Sequence, residues 1–189
     1  MKKVLIGQSF RRQSFFALYS YFESQLYRVL DSVPPSFRKV IFKLILRRIA
    51  RGSWIDYTTY IRYPWRVSIG ANSAINRGCK FFPSIATGLG TIEIGDNVLV
   101  GPDVMFLAAG HDIKTFSYND VSGPIRVEHN VFIGAGSIIR YGVVIGEGSV
   151  VAAGSVVVKD VEQFSIVAGS PAVVIGLRTI EKNVRNGLD

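Results

Sequence analysis

The chain has 189 residues, of which 48% are hydrophobic and 19% charged, with a formal net charge of +8. That length suits one sizeable domain plus an accessory segment, and no stretch approaches the roughly 18 uninterrupted apolar residues of a transmembrane helix. The single Cys79 excludes an intramolecular disulfide and makes a reducing cytoplasm the default compartment, and the opening Met1-Lys2-Lys3-Val4-Leu5-Ile6-Gly7 is too short in its apolar part for a secretory signal.

The charge is concentrated at the N-terminus. Residues 1–52 hold 11 Lys or Arg against Glu23 and Asp31, a net of +9, whereas residues 53–189 carry a net of −1. Within this first segment Phe15, Leu18, Tyr19, Phe22, Leu26, Val29 and Leu30 recur at helical spacing, and Pro34-Pro35 interrupts the helix. A second helix is predicted from about Ser36. In it Lys39, Lys43, Arg47 and Arg51 step by four and form a basic face, with Arg38 and Arg48 nearby. Phe37, Val40, Ile41, Leu44, Ile45 and Ile49 form the opposite, apolar face. Two readings follow: the apolar faces pack on each other and on the next element, closing an exposed end, or the basic amphipathic helix lies on an anionic membrane surface. No nucleic-acid module is present and the remainder is slightly acidic, so no nucleic-acid partner is expected.

From Val127 onward the chain repeats every six residues, through Ile133, Ile139, Ile145, Val151 and Val157, with a small or β-branched residue four positions after each: Val131, Ser137, Val143, Ser149, Ser155 and Val161. A period of six fits neither a helix nor an alternating strand. It fits an all-β solenoid in which each flat face takes one hexad, the aliphatic side chain points inward and Gly or Asn makes the corner. The same phase runs upstream in Ile69, Ile75 and Phe81, and again in Ile94, Val100 and Phe106. It breaks twice. Between Phe81 and Ile94 one residue is extra, so Phe82–Gly90 reads as a bulge or short loop. Between Phe106 and Val127 three are extra, so a loop over 107–124 leaves the coil, carrying Gly110-His111-Asp112 and ending near Gly123-Pro124. Protruding loops on a rigid scaffold favour catalytic and binding residues. Cys79, inside the repeat, reads as a small buried apolar residue.

Ile94-Gly95-Asp96-Asn97-Val98-Leu99-Val100-Gly101-Pro102, the loop with Gly110-His111, Val131-Phe132-Ile133-Gly134-Ala135-Gly136, Ala153-Gly154-Ser155-Val156-Val157-Val158-Lys159-Asp160 and Ala168-Gly169-Ser170-Pro171 together resemble the hexapeptide-repeat acyltransferases. The resemblance is closest to those that acetylate sugars, galactosides and some antibiotics, and it covers roughly residues 68–178. It implies a left-handed parallel β-helix, preceded here by a short N-terminal α-helical segment, and a homotrimer with active sites between neighbouring subunits. It also implies acetyl-coenzyme A as donor and no metal. His111 matches the family's catalytic base, and histidine suits proton removal near neutral pH. Asn76 matches a position that contacts the acceptor or the oxyanion, although a corner residue tolerant of φ > 0 is an equal explanation. Asp103, Asp112 or a backbone carbonyl would orient the imidazole. By the same resemblance Ala135 and Ala153 touch the pantetheine arm and Val158 and Lys159 the nucleotide. Lys159 and Arg178 are the nearest cations for its phosphates, while Val173 and Gly176 depart from arginines that some relatives carry. His129, in Glu128-His129-Asn130, reads as an exposed turn residue.

The expected organisation is therefore a basic helical segment at 1–52, an acetyltransferase domain at 53–178 and a tail at 179–189. The expected function is O-acetylation of a sugar, as part of a bacterial surface polysaccharide or its lipid-linked precursor, in the cytoplasm and at the periphery of its membrane. N-acetylation of an amino-sugar nucleotide and a non-catalytic scaffold are the alternatives. Two histidines cannot supply the three zinc ligands of a gamma-type carbonic anhydrase, and the residues before the repeat leave no space for a nucleotidyltransferase domain. The acceptor is encoded in loops such as Phe116-Ser117-Tyr118-Asn119-Asp120, whose composition fits many polar ligands.

Overall fold

A computed structural model describes residues 6–85, 88–114 and 116–179, with side chains from Phe16 onward. The tail expected at 179–189, apart from Thr179, and the side chain of Phe15 lie outside the described residues. Two helices, α1 (Ile6–Ser32) and α2 (Pro35–Ile45), precede a solenoid. Its first coil is β1 (Arg48–Ile49), β2 (Trp54–Ile55) and β3 (Tyr60–Ile61); a 3-10 turn at Pro64–Arg66 leads into β4 (Val67–Ile69), β5 (Ala74–Ile75) and β6 (Lys80–Phe82). The third coil is β7 (Ile92–Ile94), β8 (Leu99–Val100) and β9 (Met105–Leu107), after which β10 (Ala109–His111) and β11 (Asp120–Ser122) protrude as an antiparallel pair. Two more coils follow, β12 (Ile125–Val127), β13 (Phe132–Ile133), β14 (Ile138–Arg140), then β15 (Val144–Ile145), β16 (Val150–Val151), β17 (Val156–Val157). β18 (Ser165–Gly169) and β19 (Ala172–Leu177) follow as an antiparallel pair.

Each coil places one strand on each of three faces, which are parallel sheets apart from β19 at the edge of the second. The first is β1-β4-β7-β12-β15, the second β2-β5-β8-β13-β16-β18-β19 and the third β3-β6-β9-β14-β17. The six-residue period is the reason. The residue opening each hexad stacks on its equivalent in the next coil, as Ile69 on Ile94, Ile94 on Val127 and Val127 on Ile145, and all of these are buried. Burying an aliphatic side chain of this kind contributes about 1.5–3 kcal/mol. The fifth position is buried as well, as Ser137, Val143, Ser149 and Ser155 show. The fourth position turns the corner through the left-handed region, with Asn97 at φ 55°, Asn130 at φ 60° and Gly136 at φ 67°. Asn, Asp and Gly tolerate that region best, hence their recurrence there. Cys79 occupies a fifth position. It is fully buried, its Sγ lies 3.2 Å from the Gly101 carbonyl, and desolvation pushes its thiol up to about 11.

The N-terminal segment departs from expectation in two ways. First, α2 ends at Ile45 and Leu46 is extended (ψ 152°), so Arg47 and Arg51 are not on the helix. Arg48 and Ile49 already pair with Ser68 and Ile69, which starts the solenoid at 48 rather than 53. Ile49, Ile55 and Ile61 are themselves six apart, and the hexad period overrides helical continuation. Of the expected four-step basic face, only Lys39 and Lys43 remain on α2. Second, only part of each apolar face is turned inward, with Leu30 and Phe42 buried and Leu26, Ile41 and Ile45 packed against the core, and polar side chains are buried beside them. On α1 the buried side chains are Glu23, Tyr27 and Leu30, while Leu18, Phe22 and Val29 are exposed; on α2 they are Arg38 and Phe42, while Phe37, Val40 and Leu44 are exposed. The cause is the open end of the first coil, whose strands have no coil above them to pair with. The Tyr27 hydroxyl donates to the Ile61 carbonyl (2.6 Å) and accepts from the Ile61 amide (2.9 Å). Arg38 donates to the carbonyls of Leu30 (2.6 Å), Ile55 (3.3 Å) and Asp56 (2.7 Å) and to the Asp31 carboxylate (2.8 Å). Backbone groups that would be orphaned beneath a purely apolar cap are thereby satisfied.

Candidate active site

The loop predicted at 107–124 is an ordered hairpin with Ala109 opposite Ser122, Gly110 opposite Val121 and His111 opposite Asp120. It stands on Tyr141 and Gly142 at the corner between the third and first faces. A Cβ on Gly110 would meet the Tyr141 ring at 2.8 Å, and one on Gly123 would meet the Gly142 amide at 2.9 Å, so both positions require glycine for contact. Tyr141 is held in turn by Arg140, whose guanidinium lies 4.3 Å from the ring centroid and donates to the hydroxyl at 2.6 Å.

His111 is exposed at the hairpin's edge. Its Nδ1 lies 3.1 Å from the Tyr118 carbonyl and 3.3 Å from the Asp120 carboxylate. A carbonyl oxygen only accepts, so Nδ1 carries the proton and the Nε2 lone pair is left for chemistry. Tyr118 aims its carbonyl by adopting φ 47°. Of the orienting groups considered from sequence, the backbone carbonyl is the one found at Nδ1. The Asp112 carboxylate accepts from the Lys114 amide (2.9 Å), and Asp103 sits at a corner against Gly78. Asp120 is the residue that sequence reasoning missed. Its signal was the hairpin register, which is invisible until the turn is known.

Asn76 lies at a different corner, between the second and third faces. Its Nδ2 and its backbone amide both donate to the Val100 carbonyl, at 2.7 and 3.1 Å. The left-handed residue of that corner is Gly78 (φ 75°), so tolerance of positive φ does not explain the asparagine. One chain therefore holds His111 and Asn76 on separate edges. His129 is on the remaining edge, exposed, with Nδ1 accepting from the Asp96 amide at 3.0 Å. Among the described residues no cluster of three or more His, Cys, Asp or Glu is arranged to hold a metal ion.

Residues 124–159 match the family model described as the hexapeptide repeat of succinyl-transferase. The galactoside O-acetyltransferase of Escherichia coli K12 is 32% identical over 141 residues, 73% of this chain and 67% of that protein. A hexapeptide-repeat acetyltransferase of Vibrio cholerae, solved in complex with acetyl coenzyme A, superposes with a TM-score of 0.75 at 27% identity, over 83% of this chain and 86% of the other. A galactoside acetyltransferase solved with coenzyme A also gives 0.75, at 28% identity, over 84% and 80%. The chain belongs to the hexapeptide-repeat acetyltransferases.

On this acetyltransferase the residues expected to meet the donor fall in three places. Ala135 and Ala153 lie on the same edge as Asn76, exposed and stacked, with the Gly154 amide donating to the Ala135 carbonyl at 2.8 Å. A Cβ on Gly101 would lie 2.7 Å from the Ala135 amide, and one on Gly134 2.4 Å from the Ala153 amide. At Gly134-Ala135-Gly136 and Ala152-Ala153-Gly154 that edge is consequently closely stacked backbone carrying only small side chains. Val158 and Lys159 are at the other end of the third face, where they line a cavity of about 300 Å³ together with Asp160, Val167 and Val173. Arg178 is on the edge of His129, and its Nη1 donates to the carbonyls of Asn130 (2.8 Å) and Gly148 (3.0 Å). One chain thus does not bring Lys159 and Arg178 together, and Arg178 has a structural commitment that the sequence did not reveal.

Proposed function

We propose that this acetyltransferase passes acetyl from acetyl-coenzyme A to a hydroxyl of a sugar, with His111 as general base. The observation that carries the reading is the exposed His111 imidazole, engaged through Nδ1 by the Tyr118 carbonyl and Asp120 so that Nε2 is the nitrogen left for chemistry. Nε2 takes the proton of the acceptor hydroxyl as its oxygen attacks the thioester carbonyl; the tetrahedral oxyanion collapses, the C–S bond breaks, and the imidazolium returns the proton to the departing thiolate. Asp120 stabilises the imidazolium formed between these steps. Asn76 spends one Nδ2 proton on the Val100 carbonyl and keeps a second for the acceptor or the oxyanion. The column of small residues at Ala135 and Ala153 receives the pantetheine arm, and Lys159 lies towards the nucleotide.

The site is completed in a homotrimer, where the His111 edge of one chain meets the Asn76 edge of the next. Two features support this. The two residues sit on separate edges of one chain, and the outward column of the second face carries exposed Trp54, Leu99 and Phe132, whereas the first face presents Arg48, Glu93 and Arg126. The acceptor belongs to a surface polysaccharide or its lipid-linked precursor, acetylated on the cytoplasmic side of the membrane. Thiol release from acetyl-coenzyme A, followed across sugars, sugar nucleotides, serine and aminoglycosides, tests the reading. A sugar hydroxyl should be the preferred acceptor and the product should be an ester cleaved by mild alkali. A product stable to alkali, formed only from amino sugars, overturns O-acetylation, and release with none of them overturns the enzyme's proposed acceptor class.

A further inference from the structure

The cap over the first coil buries Glu23 and Arg38 beside Tyr27, Leu30 and Phe42, and leaves a second set of large apolar side chains facing away from the core. Leu44 is 80% exposed, Phe37 66% and Phe22 62%, and Leu18, Val29 and Val40 are each more than half exposed. On α1, Leu18, Phe22 and Val29 recur at four and seven residues, one stripe of the helix; on α2, Phe37, Val40 and Leu44 recur at three and four and make another. The two stripes adjoin, because Phe22 and Leu26 of α1 and Leu44 and Ile45 of α2 line one groove of about 440 Å³, with Pro64 and Trp65 at its side. An exposed apolar surface of this kind marks an interaction site. Lys39 and Lys43 are exposed on α2 and Arg47 is exposed just beyond it, and this is the segment that carries a net +9 in a chain otherwise at −1.

We propose that this helical face docks on an anionic lipid bilayer, with Phe22, Leu44 and Phe37 entering the acyl boundary and the lysines meeting the headgroups. Apolar side chains flanked by cations are the two components of interfacial binding. A second copy of the chain is the other surface that could cover the patch, and charge argues against it: face-to-face packing would bring two strongly basic segments together, whereas a bilayer supplies the opposite charge. No helix among the described residues is long and apolar enough to cross a membrane, so docking is peripheral. Docking of this face is independent of the acceptor's identity.

The test is co-sedimentation of the full chain with vesicles of phosphatidylcholine containing 30% phosphatidylglycerol, at low and high salt. The wild type should sediment at low salt and release at high salt. Phe22→Ser combined with Leu44→Ser should weaken binding at least tenfold, and Lys39→Glu with Lys43→Glu should do the same, while circular dichroism and the thiol-release rate on a soluble acceptor stay unchanged. In a Trp54→Phe background, the remaining Trp65 should shift to the blue on vesicles and be quenched by brominated lipid. Absence of sedimentation at low salt overturns the proposal. So does equal sedimentation of wild type and the apolar double variant, and so does an oligomer that loses half its mass when Phe22 and Leu44 are replaced, which assigns the face to a second copy.

Discussion

His111 is defined by what its Nδ1 faces. If it is the base, His111→Ala lowers turnover by roughly 10²- to 10⁴-fold, while His129→Ala, on another edge, changes turnover little; steady-state thiol release measures both. Asp120→Asn keeps the side-chain volume but removes the charge that stabilises the imidazolium. It should lower kcat about tenfold and leave the KM for acetyl-coenzyme A unchanged, because the residue acts on the transition state alone. Cys79 is the opposite case, a potential nucleophile disabled by burial. With its thiol pushed up to about 11 by desolvation, it should resist thiol reagents at pH 8 in the native protein and react at once in urea. The linkage has a definite sign. The folded state holds this proton more tightly than the unfolded state, so the contribution is complete below about pH 9 and disappears as pH approaches 11. Urea midpoints should fall across that window, and Cys79→Ala should flatten the fall.

At the level of elements, the hairpin β10–β11 is a positioned device because its base rests on one aromatic ring. Tyr141→Ala removes the surface against which Gly110 packs, and kcat should fall while the thermal midpoint of the solenoid is nearly unchanged, since no inward-facing residue is altered; paired assays and calorimetry separate the two. The two cations assigned to the donor from sequence should now behave differently. Lys159→Ala should raise the KM for acetyl-coenzyme A more than it lowers kcat. Arg178→Ala should chiefly lower stability, by about 0.5–1.5 kcal/mol, because two corner carbonyls lose their donor. If Arg178→Ala instead leaves the urea midpoint unchanged and raises that KM, the hydrogen bonds to Asn130 and Gly148 are incidental and the guanidinium serves the nucleotide.

For the whole molecule, the helical cap and the solenoid are one folding unit joined by Arg38. Its guanidinium ties together α1, α2 and the first coil, so Arg38→Met should destabilise the protein by roughly 2–4 kcal/mol, as a buried polar network does when one member is removed. Equilibrium unfolding should remain a single transition in both proteins; a separate early transition in the wild type would show that the cap is an independent domain. Removing residues 1–45 should expose the strand edges of the first coil and lead to aggregation.

The period of six determined the solenoid by itself, including its two interruptions, because every coil repeats the same requirement: an aliphatic residue inward, a small one after it and a left-handed corner between. The break in that period located the loop that carries His111, while its proposed role as base came from the family resemblance. What the sequence could not give was anything set by contacts between distant segments. Asp120 reaches His111 only through the hairpin register, and Arg178 reaches Asn130 and Gly148 only because the terminal strand turns back. The helices show the limit most clearly. Their amphipathic pattern predicts an apolar face turned inward, and Leu30 and Phe42 do turn inward, but the coil beneath them also presents backbone amides and carbonyls that select Tyr27 and Arg38 and a Tyr60 hydroxyl that selects Glu23, while Phe22, Phe37 and Leu44 stay outside.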